Sequence, residues 1–460
     1  MKNILFLFFA LAFLGSNVQD VESQENYNFP RLESDPQINK LKYSYDENGN
    51  KLQKSDYSWQ DLFAISLWAS GAQTTEPYIE KINSVAAELS KEMPKDQKER
   101  AEYILNFLHK NIFKGYSANQ TKIDVLLTNG RFNCVSSAVV YSVLAKYSGL
   151  EVKGVITKDH AFVCVIIDGE TIDIETTNPY GFDPGKRKEF QDNFGKATGF
   201  AYTPPGNYRN RQTISLFELD SVILRNRIAD FEKVNKFAEA VPLAIDRAEL
   251  LKDRKDPTES ALFVDPYTEL DDALFNVAAF YLNKNQEVAG LAWADTAEIF
   301  FKNKNRLHEF ISGAVNNSLG KELRTKKFDA AIAIYDKNAH RFNETENNTF
   351  KGMILDAQMT ELVNVSKTDE TTSAAIKQLE DAEKTGLIEK KRLDQLKQTV
   401  GKNRIAYFHN TFAKSFNQKD FTAAETVLNK ALKEFPDNKQ FISDQKTLQT
   451  AKDASAKKQA

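Results

Sequence analysis

The residues of this chain whose types could do covalent chemistry lie close together in the sequence. The chain has only two cysteines and five histidines. Cys134, His160 and Cys164 fall in one stretch, which also carries the carboxylates Asp173 and Glu175. A thiol, an imidazole and a carboxylate are the nucleophile, base and orienting group of cysteine-dependent acyl transfer. The sequence therefore predicts a catalytic pair of Cys134 and His160, completed by a carboxylate.

Cys134 is predicted to begin a helix. Apolar residues recur after it at three- and four-residue spacings, and Gly149 can end the helix in the left-handed conformation. The unpaired amides and the positive end of a helix N-terminus favour the thiolate form of a cysteine placed there. The amide of Cys134 or Val135 is in turn a candidate donor to the oxyanion of an acyl-transfer intermediate.

Three strands are predicted directly after this helix, at residues 152–156, 160–167 and 171–176. An Asp-Gly pair between two β-branched runs is a strong signal of a tight hairpin, and Asp168 and Gly169 form such a pair between the last two strands. With those two residues in the turn, Cys164 is expected to lie opposite Asp173.

The same count selects the third member of the site. Side chains alternate between the faces of a strand, which predicts one shared face for four residues: His160, Cys164, Asp173 and Glu175. Glu175 is then one diagonal step from His160, whereas Asp173 is two steps away. We therefore predict Glu175 as the carboxylate that orients His160, with Asp173 as the fallback and Asn178 as a weaker alternative.

Three short runs resemble the transglutaminase-like superfamily. The run from Asn133 to Ala138 is similar to the cysteine helix of that family, and His160-Ala161-Phe162 is similar to its His-Ala-aromatic strand. Glu175-Thr176-Thr177 falls where the family carries Asp-Pro-Thr. The resemblance covers residues from about 60 to 185. It implies a papain-like α+β core whose Cys-His-Asp triad transfers or hydrolyses acyl groups.

Two residues depart from the family pattern. Glu175 stands where an aspartate is usual, and Phe132 stands where a glycine is common, two residues before the cysteine. A glutamate can still orient a histidine. The departure at Glu175 therefore concerns the identity of the third catalytic residue more than those of Cys134 and His160.

Other interpretations of the same residues remain open. In an exported protein, a lone pair of cysteines such as Cys134 and Cys164 could be joined in a disulfide. A zinc site from Cys134, His160, Cys164 and Asp173 lacks the paired close spacings of structural zinc sites. The domain could also be a decayed one, kept for its shape alone. Neither a metal nor a cofactor is predicted.

The start of the chain is typical of a secretory signal peptide over residues 1–16. Lys2 precedes an apolar run that is too short to span a membrane, and Gly15 and Ser16 follow it. An exported protein, periplasmic or secreted, is therefore expected, with an uncleaved anchor as the alternative. The 61 basic and 64 acidic residues nearly cancel. Neither nucleic acid nor a membrane beyond the signal peptide is thus predicted as a partner.

The remaining patterns predict a mostly irregular leader, with a short hairpin near residues 41–54, and then an α+β domain. The predicted segments are a leader at 17–58, a transglutaminase-like domain at 59–205, helical repeats at 213–452 and a frayed tail at 453–460. Helices are expected over 61–72, from Pro77 to about 93, and from Asp96 to Phe113. His109, in the last turn of the third helix, is expected to be a core or surface residue rather than a catalytic one. The Pro- and Gly-containing span 199–207 marks the predicted domain boundary.

The C-terminal half carries a recurring phrase in which an aromatic residue is followed by small residues. Its clear copies begin at Lys236, Lys327 and Asp420, and weaker copies begin at Gln286 and Thr372. The pattern resembles degenerate tetratricopeptide repeats, although the copies lie forty to fifty residues apart. It predicts an all-α solenoid in which Phe237, Phe328 and Phe421 are buried between helices.

These observations favour one function over another. The first is an exported transglutaminase-like cysteine enzyme that acts on amide or peptide bonds, by hydrolysis or acyl transfer through a thioester. Its helical repeats would bind the protein or peptide substrate, or a protein partner. The alternative is a non-catalytic exported binding scaffold. The joint presence of Cys134, His160 and Glu175 in one predicted α+β unit favours the enzyme.

Overall fold

A computed structural model describes residues 27–54, 56–184, 211–253 and 262–459. The fold is rich in helix with small sheets, and the chain divides into two compact units, one up to Pro266 and one from Tyr267 onward. The predicted signal peptide and the predicted boundary at 199–207 lie outside the described residues. No helix within the described ranges combines the length and the apolar character needed to cross a membrane.

The first unit contains eight helices and eight strands within the described ranges. The helices are Gln37–Lys42, Trp59–Ser70, Glu76–Ser90, Gln97–Asn111, Ile123–Asn129, Cys134–Tyr147, Leu216–Lys233 and Phe237–Leu251. The strands are β1 (Tyr43–Tyr45), β2 (Lys51–Gln53), β3 (Gly115–Tyr116), β4 (Arg131–Phe132), β5 (Glu151–Ile156), β6 (Ala161–Ile167), β7 (Glu170–Ile174) and β8 (Gln212–Ile214). We call Cys134–Tyr147 the cysteine helix.

The largest sheet is antiparallel, with the strand order β7-β6-β5-β8. Asp168 and Gly169 form the turn between β6 and β7, both at positive φ (51° and 81°), as a primed hairpin turn requires. Cys164 pairs with Asp173, so the register counted from the sequence is confirmed. Strand β8 was not predicted.

The end of β7 differs from the prediction. The strand stops at Ile174 rather than at residue 176, because the amide of Glu175 donates to the carbonyl of Gly181 and not to β6. The chain therefore leaves the sheet at Glu175, and the predicted carboxylate lies on a turn.

One core holds the first unit together. Apolar residues of the cysteine helix and of β6 and β7 are buried with residues of the helices that precede them in the chain. Phe217, Leu219 and Ile223 of helix Leu216–Lys233 are buried in the same core. The predicted boundary between 205 and 213 is therefore wrong, since β8 and two further helices belong with the first unit.

The leader also belongs to this unit. Residues 43–53 form the short hairpin that was expected, but a helix precedes it and its last residue, Lys42, is buried. The Lys42 ammonium donates to the carbonyls of Glu249 and Lys252, both at 2.7 Å. Asp246 accepts from Arg31 (2.8 Å) and from the amide of Asp35 (2.7 Å). These bonds fix the leader to helix Phe237–Leu251.

The second unit is helical throughout its described residues. Its α-helices are Pro266–Asn283, Glu287–Ala297, Lys304–Arg324, Phe328–Asn338, Glu344–Val365, Asp369–Thr385, Lys390–Asn417, Phe421–Glu434 and Lys439–Gln459. The backbone is helical through the predicted frayed tail, as far as Gln459. Neighbouring helices pack in sequence, as Lys390–Asn417 does against Phe421–Glu434.

The recurring phrase marks a recurring turn. Helices begin at Phe237, Glu287, Phe328 and Phe421, and two residues before each start a non-glycine residue takes a left-handed conformation. These left-handed residues are Asn235, Asn285, Lys326 and Lys419, with φ of 58°, 57°, 61° and 63°. The weak copy at Thr372 lacks the turn, because it lies inside a helix.

The burial within this phrase corrects the prediction. Phe237, Phe328 and Phe421 are only half-buried, because each occupies the first helical position, at the edge of the helix pair. The alanine three residues after each of them is fully buried: Ala240, Ala331 and Ala424. A small residue at that position lets neighbouring helices approach closely, so the alanine, rather than the phenylalanine, is the residue packed between the helices.

Candidate active site

The first residue of the cysteine helix is Cys134, whose side chain is half-buried. Asn133 caps this helix, since its Oδ1 accepts from the amide of Ser136 at 3.0 Å. The Ser136 hydroxyl accepts from the amide of Asn133 at 2.9 Å, which completes a capping box. The cap therefore gives the amide of Ser136 a hydrogen-bond acceptor. The amides of Cys134 and Val135, also in the first turn, have no carbonyl within the helix to which they can donate.

His160 and Glu175 are in direct contact. The Nε2 atom of His160 lies 2.6 Å from Oε2 of Glu175, and both side chains are nearly buried, at 13% and 6% exposure. Nε2 therefore carries the proton that Glu175 accepts, and Nδ1 is the nitrogen left for the thiol. Of the two predicted carboxylates, Glu175 is the one at the histidine.

The electrostatics of His160 favour its charged form. Burial alone would lower the pKa of this imidazole. The Glu175 carboxylate and a side-chain hydrogen bond with Cys134 outweigh burial and hold the pKa of His160 well above its ordinary value. Cys134, His160 and Glu175 are thus brought together in that order.

Glu175 is itself fixed from the other side. Its Oε1 accepts from the amide of Thr177 at 3.1 Å and from the Thr177 hydroxyl at 2.8 Å, which leaves Oε2 for His160. The turn closes at Gly181, where a Cβ atom would lie 1.9 Å from the carbonyl oxygen of Glu175. Only glycine fits that close approach.

Thr176 joins the Glu175 turn to the helices. Its hydroxyl is hydrogen-bonded to that of Ser137 at 2.8 Å, one helical turn after Cys134. The carbonyl of Thr176 accepts from Nε2 of His109 at 3.0 Å. Burial lowers the pKa of His109 to about 4, so this ring is neutral at pH 7 and serves as a donor. His109 thus holds the Glu175 turn in place.

Asp173 has a different partner. Arg211 binds it bidentately, with distances of 2.6 and 2.7 Å. Asp173 pairs with Cys164, which packs with Phe162 and Val155 in a small cluster apart from the main core. Strand pairing places Cys164 opposite Asp173, whereas His160 precedes β6 and Glu175 follows β7. The His160 ring still stacks on that of Phe162, with 6.2 Å between centroids.

The remaining alternatives can be compared with the geometry. Cys134 and Cys164 are both free thiols, and burial together with Asp173 raises the pKa of Cys164 to about 11. No group of three His, Cys, Asp or Glu side chains is arranged to hold a metal ion among the residues that the structure describes. The carbonyl of the Asn178 side chain accepts from the amide of Tyr180 at 2.9 Å, so this residue shapes the turn.

Phe132, the second departure from the family pattern, lies in an aromatic cluster. Its ring is 4.7 Å from that of Phe113 and 6.0 Å from those of Tyr116 and His109, measured between centroids. The cluster joins helix Gln97–Asn111, β3 and β4. A phenylalanine here supports the segment that leads into the cysteine helix.

Sequence reasoning missed four residues that shape this site: His109 as a donor, Tyr116, Thr177 and Arg211. Thr177 carried a usable signal, since a threonine two residues after a carboxylate can close a local turn. The others act across long sequence separations and gave none.

Comparisons with known proteins add little to this geometry. No protein-family model matches the chain, and no curated protein matches it significantly. Among solved structures, the crystal structure of menin that reveals its binding site for the Mixed Lineage Leukemia (MLL) protein is similar over 76% of this chain and 78% of that one. The identity is 13% and the TM-score is 0.28, a likeness too low to carry an argument.

Proposed function

We propose that this protein is a transglutaminase-like cysteine enzyme that transfers or hydrolyses acyl groups through a thioester on Cys134. The single observation that carries this proposal is the contact of Glu175 with His160, 2.6 Å from Oε2 to Nε2, beside a thiol at a helix N-terminus. A helix of the core that presents a cysteine to a histidine just before a strand of an antiparallel sheet also fits a papain-like arrangement.

The reaction follows from these positions. His160 holds the thiol proton as an imidazolium, which Glu175 stabilises, and the Cys134 thiolate attacks the carbonyl carbon of an amide. The resulting oxyanion is stabilised by first-turn amides of the cysteine helix. As the C–N bond breaks, His160 gives the proton to the leaving amine and a thioester remains. Water or another amine then attacks the thioester and His160 takes its proton. The C–S bond breaks, and the released thiolate and the imidazolium restore the starting pair.

The substrate class is a protein or peptide, and the export predicted from the N-terminus places it outside the cytosol. The paired helices of the second unit supply surfaces of the kind that helical-repeat proteins use to hold an extended partner. We assign the tetratricopeptide-like part of the chain this binding role, for the substrate or for a protein partner.

Alkylation by iodoacetamide at pH 7 tests the proposal. His160→Ala should slow labelling of Cys134 by about 10²-fold, the lower end of what a positioned base contributes. Cys134→Ala should abolish labelling and Cys164→Ala should leave it unchanged, since Cys164 is 1% exposed. Equal labelling of wild type and His160→Ala would overturn the proposal.

The second candidate is a binding scaffold without catalysis. The observation that favours it is the length of the helical second unit, from Tyr267 to Ala460, within which the site has no part. Under this hypothesis Cys134 labels as an ordinary half-buried thiol, whatever residue stands at position 160.

A further inference from the structure

A tyrosine lies on the strand that pairs with β4, the segment that leads into the cysteine helix. Tyr116 ends β3, which pairs in parallel with β4, and Tyr116 lies beside Phe132 in that register. The amide of Ser117 donates to the carbonyl of Phe132 at 2.7 Å. Asn133, the cap of the cysteine helix, donates from Nδ2 to the carbonyl of Ala118 at 3.2 Å. These bonds fix Tyr116 relative to Cys134.

The charges of both ends of the candidate site act on the Tyr116 phenol. Burial is the main cause that raises the pKa of Tyr116, and the negative charges of Cys134 and Glu175 raise it further. A phenol in this environment stays protonated through the neutral range. It can donate a hydrogen bond, and it is unsuited to be a base.

We propose that the Tyr116 hydroxyl is the side-chain donor of the oxyanion hole, acting together with a first-turn amide of the cysteine helix. This inference rests on the proposed function and identifies a further catalytic residue for it. When the Cys134 thiolate adds to a carbonyl, the negative charge moves from sulfur to the carbonyl oxygen. A neutral phenol on the strand beside the start of the cysteine helix can then donate to that oxygen without losing its proton.

A side-chain donor that acts beside a backbone amide has a physical reason. One backbone amide supplies a single hydrogen bond, whereas a tetrahedral oxyanion is best stabilised by at least two preorganised donors. The phenol is held by strand pairing and by the packing of its ring against Phe132, so it needs little reorganisation during the reaction.

Two probes of Cys134 separate this role from thiol activation. Iodoacetamide forms a sulfur–carbon bond as iodide leaves, and no oxyanion arises. Acetylation by p-nitrophenyl acetate passes through a tetrahedral oxyanion before p-nitrophenolate leaves. Both rates are measured on the full chain by intact-protein mass spectrometry, with Cys134→Ala as the blank.

Tyr116→Phe should keep alkylation within about twofold of wild type, because no oxyanion is formed in that step. The rate of acetylation of the same variant should fall by about tenfold or more. This effect is smaller than the 10²–10³-fold loss of rate that removal of one donor causes on an unactivated amide. Tyr147→Phe is the matched control. Tyr147 ends the cysteine helix at the far end and binds Ser90 at 2.9 Å, so both rates should be unchanged.

Unchanged acetylation of Tyr116→Phe would overturn the role of Tyr116 and leave the proposed function standing. An equal fall of both rates would also overturn it, because Tyr116 would then act on the thiol or on folding. If neither probe depends on His160, the proposed function fails and the role of Tyr116 fails with it.

Discussion

Glu175 contacts His160 through one carboxylate oxygen, 2.6 Å from Nε2, and contacts Thr177 through the other. The carboxylate is therefore fixed at both oxygens, and it fixes the orientation of the imidazole. Both side chains are nearly buried, so little solvent screens the interaction. This arrangement keeps a proton on Nε2 and leaves Nδ1 for Cys134.

The first prediction distinguishes the two carboxylates of the hairpin. Glu175→Gln should slow alkylation of Cys134 by about 10- to 100-fold, as expected for the loss of a hydrogen bond between charged groups worth about 1.5–3 kcal/mol. Asp173→Asn is the matched control and should change the rate little, since Asp173 binds Arg211. The reverse order of the two effects would contradict the assigned site.

The second prediction concerns Thr177. Thr177→Val removes the hydroxyl that donates to Glu175 but keeps the backbone amide, so alkylation should slow by a few-fold, the equivalent of about 1 kcal/mol for one hydrogen bond. Thr177→Ser retains the hydroxyl and should restore the rate. If serine and valine gave the same rate, the hydroxyl would have no part in positioning Glu175.

The third prediction concerns pH and His109. Its pKa is about 4 in the folded chain and about 6.5 in the unfolded chain, so only the unfolded chain takes up this proton between those values. Stability should therefore fall as pH drops from about 6.5 to 4, by roughly 3 kcal/mol from this residue, and level off below.

The measurement for His109 is the free energy of unfolding in urea at a series of pH values. His109→Gln keeps a donor for the carbonyl of Thr176 but cannot titrate, so its stability should depend less on pH over this range. The difference in pH dependence between wild type and variant isolates the contribution of position 109. Identical pH dependence in the two proteins would show that His109 is not held neutral.

The hairpin register and the contact of Glu175 with His160 could be predicted because they depend on local rules. A two-residue turn and a period of two were enough to place Cys164 opposite Asp173. The strand end at Ile174 was not predictable by the same rules, because it depends on the bond from Glu175 to Gly181. Arg211 is far from Asp173 in sequence, and no local pattern signals their pairing.

The domain boundary was mispredicted for a related reason. The periodicity of helix Leu216–Lys233 is that of any amphipathic helix, and nothing in it specifies which core it joins. Leu219 and Ile223 are buried in the same core as the cysteine helix, and this packing depends on contacts between residues far apart in the sequence. The alanines of the recurring phrase were part of the predicted motif, but the phenylalanines were wrongly given the main packing role.

The fourth prediction concerns truncation. A chain that ends after Pro266 keeps β8 and the helices that fix the leader, so it should melt cooperatively by circular dichroism. A chain that ends at Tyr208 loses β8 and helix Leu216–Lys233 from the core, and its transition should broaden or disappear. If the shorter chain melted cooperatively and at the same temperature as the longer one, β8 and helix Leu216–Lys233 would not be part of the core of the first unit.

The central claim is that His160 activates Cys134 and that Glu175 acts only through His160. A double-mutant cycle on the rate of alkylation by iodoacetamide tests it most directly, with His160→Ala, Glu175→Gln and the two combined. We predict that Glu175→Gln slows wild type by about 10- to 100-fold and adds nothing in the His160→Ala background. Equal slowing by Glu175→Gln in both backgrounds would contradict the claim.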